Sequence, residues 1–463
     1  MITSNRCRIL QCHLTDFRGY GVKILAWTIV AGTVAAIIGC SIDGKYTVGG
    51  TLTGLTGQGL VLQDNSGNNL ALTANGAFAF SDGIKNGDAY SVTVQTQPSN
   101  PAQTCTVHNG TGTIDKADIT HVIVTCAGTG RFAYVANELS NDLSAYAIDS
   151  ANGELTPVAN SPFASVGTAP VSVAVDPNGQ FLYVVDSASN DVSVYAIDAT
   201  TGALSAAGVA SPTGSSPYAV TVDPTDSFLY VTNSAANSVS GYSIDATTGL
   251  LSELPDSPFA VGTNPTSVKV DPNGNFLYVT DFGSADVTVL AIDPATGSLS
   301  AVPGSPFAAG AGALAIAIDP TGTFAYVANE TAATLSEYAV NPSTGALTGV
   351  SGSPLATGSA PESLAIDPAG RNVYAANVTA KNEVAVYSIT PASGALAASG
   401  SPVAAGVLPV SLVLDPSGQF AYVANDSSGD ISVYTVNATT GALSPVGNSP
   451  FAAGNEPRSI AID

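Results

Sequence analysis

Only three histidines occur in 463 residues, His13, His108 and His121, and none lies between 122 and 463. Ser-His-Asp relays and His-based metal sites are thereby excluded from the C-terminal three quarters of the chain. Cations are scarce too: 12 Lys and Arg against 35 Asp and Glu, and from Cys40 onward eight against 34. Such a surface repels phosphate backbones, which excludes nucleic acid as a partner, and its like-charge repulsion favours solubility. EF-hand spacing, a phosphate-cradling Gly-rich loop before a helix and a His-Cys metal set are all missing, so no metal and no cofactor are expected. The longest apolar run is 16 residues, Ile24 to Gly39, short of the roughly 20 that span a bilayer comfortably.

Glycine, proline and a repeat are what the chain has in quantity. Gly numbers 47 and Pro 28, and seven tyrosines recur 47 to 49 residues apart: Tyr134, Tyr183, Tyr230, Tyr278, Tyr326, Tyr374 and Tyr422. The second copy shows the common punctuation as Ser172-Val-Ala-Val-Asp-Pro-Asn-Gly179, Phe181-Leu-Tyr-Val184, Val192-Ser-Val-Tyr-Ala-Ile-Asp198 and Thr201-Gly-Ala-Leu204. Three short β-branched and aromatic runs split by Asp-Pro-x-Gly and Thr-Gly turns read as strands, and the run into Ser211-Pro212 supplies a fourth. Four-stranded units copied seven times predict an all-β protein whose main body is a seven-bladed β-propeller, residues 128–463. The first copy lacks an inner strand, and Pro457-Arg-Ser-Ile-Ala-Ile-Asp463 has that strand's pattern. It is expected to close the ring and remove the exposed edges.

Repetition also decides what to discount. Asp176, Asp223, Asp271, Asp319, Asp367, Asp415 and Asp463 occur once per blade, as do Asn137, Asp186, Asn233, Asp281, Asn329, Asn377 and Asn425. Such residues set turns by bonding nearby backbone N–H groups. The seven tyrosines read as packing between blades.

The N-terminal quarter divides differently. The apolar run behind Lys23 reads as the h-region of a signal peptide, residues 1–39, and it ends in Ile37-Ile-Gly-Cys40. This resembles the lipobox of bacterial lipoproteins, which implies lipidation at Cys40, a linker over 40–45 and an exported, envelope-anchored protein, with Ser41 implying the outer membrane. Residues 1–21 fit a signal poorly, and a start at Val22 would give a compact one. Cys7 and Cys12 then fall outside the mature protein. Residues 46–127 carry seven short strand-like runs and the two remaining cysteines, Cys105 and Cys126, expected as a disulfide in an oxidising compartment. They predict a small β-sandwich stalk with the look of an immunoglobulin-like or prealbumin-like module. His108 and His121 read as strand or surface residues within it.

Tyr230-Val-Thr-Asn233, Tyr278-Val-Thr-Asp281 and Arg131-Phe-Ala-Tyr-Val-Ala-Asn-Glu138 resemble the signature of YVTN-type propellers and of the lactonase family that includes propeller-type 6-phosphogluconolactonases. The resemblance covers residues 130–463. It implies a site built from Pro-Arg-His at the start of an inner strand and Asn-Glu at the end of the next. Here the closing blade keeps Pro457-Arg458 and Asn137-Glu138, with Ser459 in the histidine position; the fifth keeps Asn329-Glu330, with Leu314-Ala315 replacing Arg-His. Arg458 and Glu138 are the catalytic candidates the resemblance leaves. Individuality otherwise lies at the residue after the inner-strand proline, Val171, Tyr218, Thr266, Glu362, Val410 and Arg458 in six blades, with Leu314 at the equivalent place in the blade lacking that proline. Tyr218, Thr266, Glu330 and Glu362 are the candidate ligand contacts at the channel mouth. So mixed a ring suits binding. The sequence therefore favours a monomeric, lipid-anchored envelope propeller that binds a polysaccharide or protein, with lactone hydrolysis as the alternative.

Overall fold

The computed structural model describes residues 45–55, 58–98, 103–128, 132–378 and 381–463. Cys7, Cys12 and Cys40 lie outside them. Among the described residues there is no helix long and apolar enough to cross a membrane.

Residues 45–128 form two four-stranded sheets and a two-stranded ribbon. In one sheet Val48–Thr53 lies between Gly76–Ala79 and Ile119–Gly128, with Gln103–His108 at the far edge; in the other Leu60–Asp64 and Ala89–Thr96 are central. Alternating apolar residues, among them Leu52, Leu60, Leu62, Val122 and Val124, bury into one shared cluster. Cys105 and Cys126 sit opposite each other on neighbouring antiparallel strands of one sheet and are bridged. The immunoglobulin pattern instead ties two sheets together. Non-reducing mass spectrometry after alkylation is expected to recover the two cysteines as one linked peptide pair; two alkylated thiols would contradict the pairing.

Residues 132–463 form seven sheets of the same plan. In blade 2 the inner strand is Pro170–Val175, followed outward by Phe181–Asp186, Asp191–Ile197 and Leu204–Ala206. Blades 3 to 7 begin at Pro217, Pro265, Ala313, Ala360 and Pro409. The fourth strand is more broken than the repeat suggests. Leu204–Ala206 pairs with one end of Asp191–Ile197, and Ser211–Pro212 pairs with the other end as a separate piece. Where the outer edge breaks in blade 1, the Ser161 hydroxyl accepts the Ala145 N–H; Ser305, Ser353 and Ser449 do the same in blades 4, 5 and 7. In these blades the third-strand donor is satisfied where the edge strand breaks.

Blade 1 closes as the sequence predicts. Pro457–Ile462 is the inner strand beside Phe132–Asn137, and Asp463 Oδ1 accepts the Phe132 N–H at 2.9 Å. The repeated groups take structural roles. Asp176 Oδ1 accepts the N–H groups of Gln180 and Phe181, fixing the turn between inner and second strands. Tyr134 is fully buried and its hydroxyl donates to the Gly202 carbonyl in the next blade; Tyr183, Tyr230, Tyr278, Tyr326 and Tyr422 repeat the bond. Against each of those turn glycines lies a phenylalanine ring, as Phe132 lies against Gly202.

The blade 4 copy is chemically mismatched. Asn425 accepts the Gly406 N–H and donates to Ser432 Oγ, a matched pair of bonds. Asp281, in the equivalent place in blade 4, can only accept: Oδ2 takes the Thr288 hydroxyl at 2.6 Å, while buried Oδ1 has no partner. Desolvation pushes its pKa up to about 7, only partly offset by the Thr288 bond. A carboxyl whose folded pKa lies above its unfolded value contributes stability at low pH that is lost as pH rises, here between about pH 4 and 7. Asp281→Asn restores the matched pair and is expected to raise stability by about 2 kcal/mol at pH 8 and by little at pH 4. Thermal melts at the two pH values check it, and equal gains at both would refute the account.

Candidate functional site

Each inner strand starts at the same end of the central channel, so the residue after its proline, or after Ala313 in blade 5, lies at a common mouth. All seven, Val171, Tyr218, Thr266, Leu314, Glu362, Val410 and Arg458, line one cavity of about 190 Å³. The hairpin between inner and second strands carries the residue after each second strand to the same rim. Thus Arg458 Nε lies 3.2 Å from Glu138 Oε2, although 320 positions separate them in the chain.

A third group completes this cluster. Arg458 Nη1 donates to Asp426 Oδ2 at 2.9 Å. Asp426 was not among the sequence candidates, yet its signal was present: Asn425-Asp426 occupies the place that Asn137-Glu138 and Asn329-Glu330 occupy in their blades. The three side chains are 26%, 31% and 9% exposed for Arg458, Glu138 and Asp426, so the pairs are shielded rather than freely solvated. Burial works against the guanidinium, but the Asp426 bond and the Glu138 and Asp426 carboxylates outweigh it and raise its pKa. No described side chain engages its Nη2 amino group, which leaves guanidinium donors free for a ligand.

Glu362, one blade before Asp426, has the most unusual chemistry at the mouth. Desolvation first, then the Glu330 charge, push its carboxyl up to about 7, with Arg458 pulling the other way. A carboxyl poised near neutrality in a cavity is the ordinary requirement of a general base. Tyr218 is held as the neutral phenol, its pKa raised by burial and by Glu362, Glu138 and Glu330 against the opposing Arg458. Glu138 is raised mainly by desolvation, with Arg458 opposing.

Two positions turn out to serve the scaffold. The Thr266 hydroxyl is buried and lies 2.9 Å from the Leu314 carbonyl, to which it donates, so its polar atom belongs to the seam between blades 4 and 5. Ser459 Oγ accepts the Val173 N–H at 3.2 Å, as Ser172, Ser363 and Ser411 accept from their neighbours. Serine in the histidine position therefore joins a ring of blade-to-blade bonds. Glu330 reaches the site through its charge on Glu362 and Tyr218, its own backbone N–H being bonded to the Gly312 carbonyl.

The sequence matches the family model for lactonase, 7-bladed beta-propeller, over residues 88–270 and 261–461. The chain belongs to this lactonase family. Its fold recurs in a candidate 6-phosphogluconolactonase from Bacteroides uniformis, 19% identical, with a TM-score of 0.64 over 72% of this chain and all of that one. A second such protein, from Bacteroides fragilis, is 20% identical with a TM-score of 0.64, over 72% of this chain and 98% of that one. The periplasmic gluconolactonase of Pseudomonas aeruginosa is also 20% identical, with a TM-score of 0.61 over the same shares of the two chains. No curated protein matches the sequence. At these identities the solved structures share the lactonase propeller and leave the residues at its mouth to be read for themselves.

Proposed function

We propose that this protein is a lactone hydrolase acting on neutral, unphosphorylated sugar lactones, exported and anchored through lipid on Cys40. The observation that carries the reading is Glu362, a carboxyl poised near pH 7 in the cavity that Arg458 also lines. Family membership supports it over the pure binding module that the sequence favours. Glu362 as carboxylate takes a proton from water, and the new C–O bond forms at the lactone carbonyl. Arg458 donates to the developing oxyanion, held in place by Glu138 and Asp426. The ring C–O bond then breaks, and the proton held on Glu362 passes to the leaving alkoxide, giving a hydroxy acid. Tyr218 supplies a neutral O–H donor beside them. A mouth with four carboxyl groups and one guanidinium disfavours a phosphorylated substrate.

The test is hydrolysis of D-glucono-δ-lactone by the full-length protein, beside Arg458→Ala and Glu138→Gln. Hydrolysis above the spontaneous rate, lost in Arg458→Ala by roughly a hundredfold or more, is expected. Activity untouched by both substitutions would refute this site. Ser459 in the histidine position favours the binding-module alternative, and no hydrolysis by the wild type would leave that alternative standing.

A further inference from the structure

The channel holds one more cation, and the hydrolytic chemistry above makes no use of it. Lys269 lies on the inner strand Pro265–Val270 of blade 4, three residues below Thr266 at the mouth. Its equivalents in the other six blades are Ala174, Thr221, Ala317, Ala365, Val413 and Ala461, all small or neutral. A long charged side chain thus projects from a ring of short ones. It lines the mouth cavity and two others, of about 320 and 350 Å³, which extend toward the Asp-Pro turns at Pro177, Pro272, Pro320 and Pro416. Lys269 therefore stands where these spaces meet.

Its charge is unbalanced. Among the described residues it has no salt bridge, whereas Arg458 has two. The residue is exposed within the lumen, and desolvation by the surrounding protein lowers its pKa, with no carboxylate contributing. No carboxylate of the ring answers this charge, so its field in the lumen is open to a small anion from solution.

We propose that Lys269 is an anion-binding residue at the waist of the channel and that its ligand is the carboxylate of a hydroxy acid. The choice of ligand class rests on the hydrolytic reading; the anion site itself does not. Lactone opening converts a neutral ester into a carboxylate. The acidic mouth repels that product while Lys269 attracts it, so the channel is polarised to admit neutral molecules at one level and hold anions at another. Cavities on either side of Lys269 leave an anion room beside its ammonium, below the level of Glu362 and Arg458.

The experiment measures direct binding of D-gluconate to the full-length protein by calorimetry, with uncharged D-sorbitol as the isosteric control. Wild type is expected to bind gluconate but not sorbitol, more weakly as salt is raised. Lys269→Met is expected to weaken gluconate binding by about tenfold or more, and Lys269→Arg to retain most of it. A second readout needs no substitution at a structural position. In reductively 13C-methylated wild-type protein, the Lys269 methyl signal, assigned by its loss in Lys269→Arg, should shift with gluconate and stay still with sorbitol. Gluconate binding unchanged in Lys269→Met, a Lys269 signal that does not move, or no gluconate binding by wild type would each overturn the proposal. Because binding is read without turnover, a protein that binds gluconate through Lys269 yet hydrolyses no lactone would refute the hydrolase and leave the anion site in place.

Discussion

Deleting Pro457–Asp463 is expected to unfold the ring rather than trim it. Seven residues at an ordinary terminus cost little. These seven include the inner strand of blade 1, paired along Phe132–Asn137 from Ala133↔Ile462 to Asn137↔Pro457. Their loss strips Ile460 from the cluster that joins blades 1 and 7, where it packs with Tyr422, Val433 and Val135. It also leaves Ser411 Oγ and the Val173 N–H without their partners. A buried isoleucine contributes about 2–5 kcal/mol and each strand hydrogen bond about 1 kcal/mol, so the total approaches the 5–15 kcal/mol that keeps a whole domain folded. The truncated protein should melt at least 15 °C lower, or aggregate through the bared edge of Phe132–Asn137. Circular-dichroism melts and size-exclusion chromatography check it. A truncated protein that melts within a few degrees of the full chain and stays monomeric would contradict ring closure.

Glu362→Gln is expected to remove hydrolysis while leaving the fold intact. Glutamine keeps the shape of the side chain but cannot take a proton from water, and loss of a general base costs about a hundredfold to ten-thousandfold. The pH profile separates this role from a structural one. Glu362 must be ionised to act, and its carboxyl is pushed up to about 7, so kcat/KM after subtraction of spontaneous hydrolysis should rise through about pH 7 and level above it. In Glu362→Gln the residual rate should lose that inflection. The sign for stability runs the other way. Because the folded state favours the protonated carboxyl, Glu362 contributes less stability as pH rises through the same range, and Glu362→Gln should melt no lower than wild type at about pH 8. A wild-type profile flat from pH 5 to 9, or a Gln variant as active as wild type, would remove Glu362 from the chemistry.

The architecture was legible because it is written seven times. Turn aspartates, buried tyrosines and alternating strands each recur at one spacing, so a misreading in one copy is corrected by the others. The division of the outer strand escaped because its pieces are three and two residues long and read as one run into Ser211-Pro212, although they pair with opposite ends of the third strand. The site was half legible. Position after the inner-strand proline named the ring correctly, and the resemblance named Arg458 and Glu138. It could not show that Thr266 turns its hydroxyl to a neighbouring carbonyl, a contact between blades that no spacing encodes, whereas Asp426 could have been found from its place after Asn425. Lys269 was invisible for a related reason: a lysine in an alternating strand reads as solvent-facing, and only the closed ring turns that solvent into a channel.

The tyrosine bond between neighbouring blades is made by six of the seven. The seventh, Tyr374 in blade 6, has no partner for its hydroxyl, and Asn372 rather than a phenylalanine stands against the turn glycine, Gly441. Asn377 on the same strand is fully buried with neither end of its amide bonded. The seam between blades 6 and 7 therefore does without a bond that the other six have, and it is held instead by Arg371 donating to the Ala438 carbonyl, Leu412 donating to Ser363 Oγ and Tyr434 donating to the Ala404 carbonyl. Glu362 stands on one side of that seam and Asp426, which steadies Arg458, on the other.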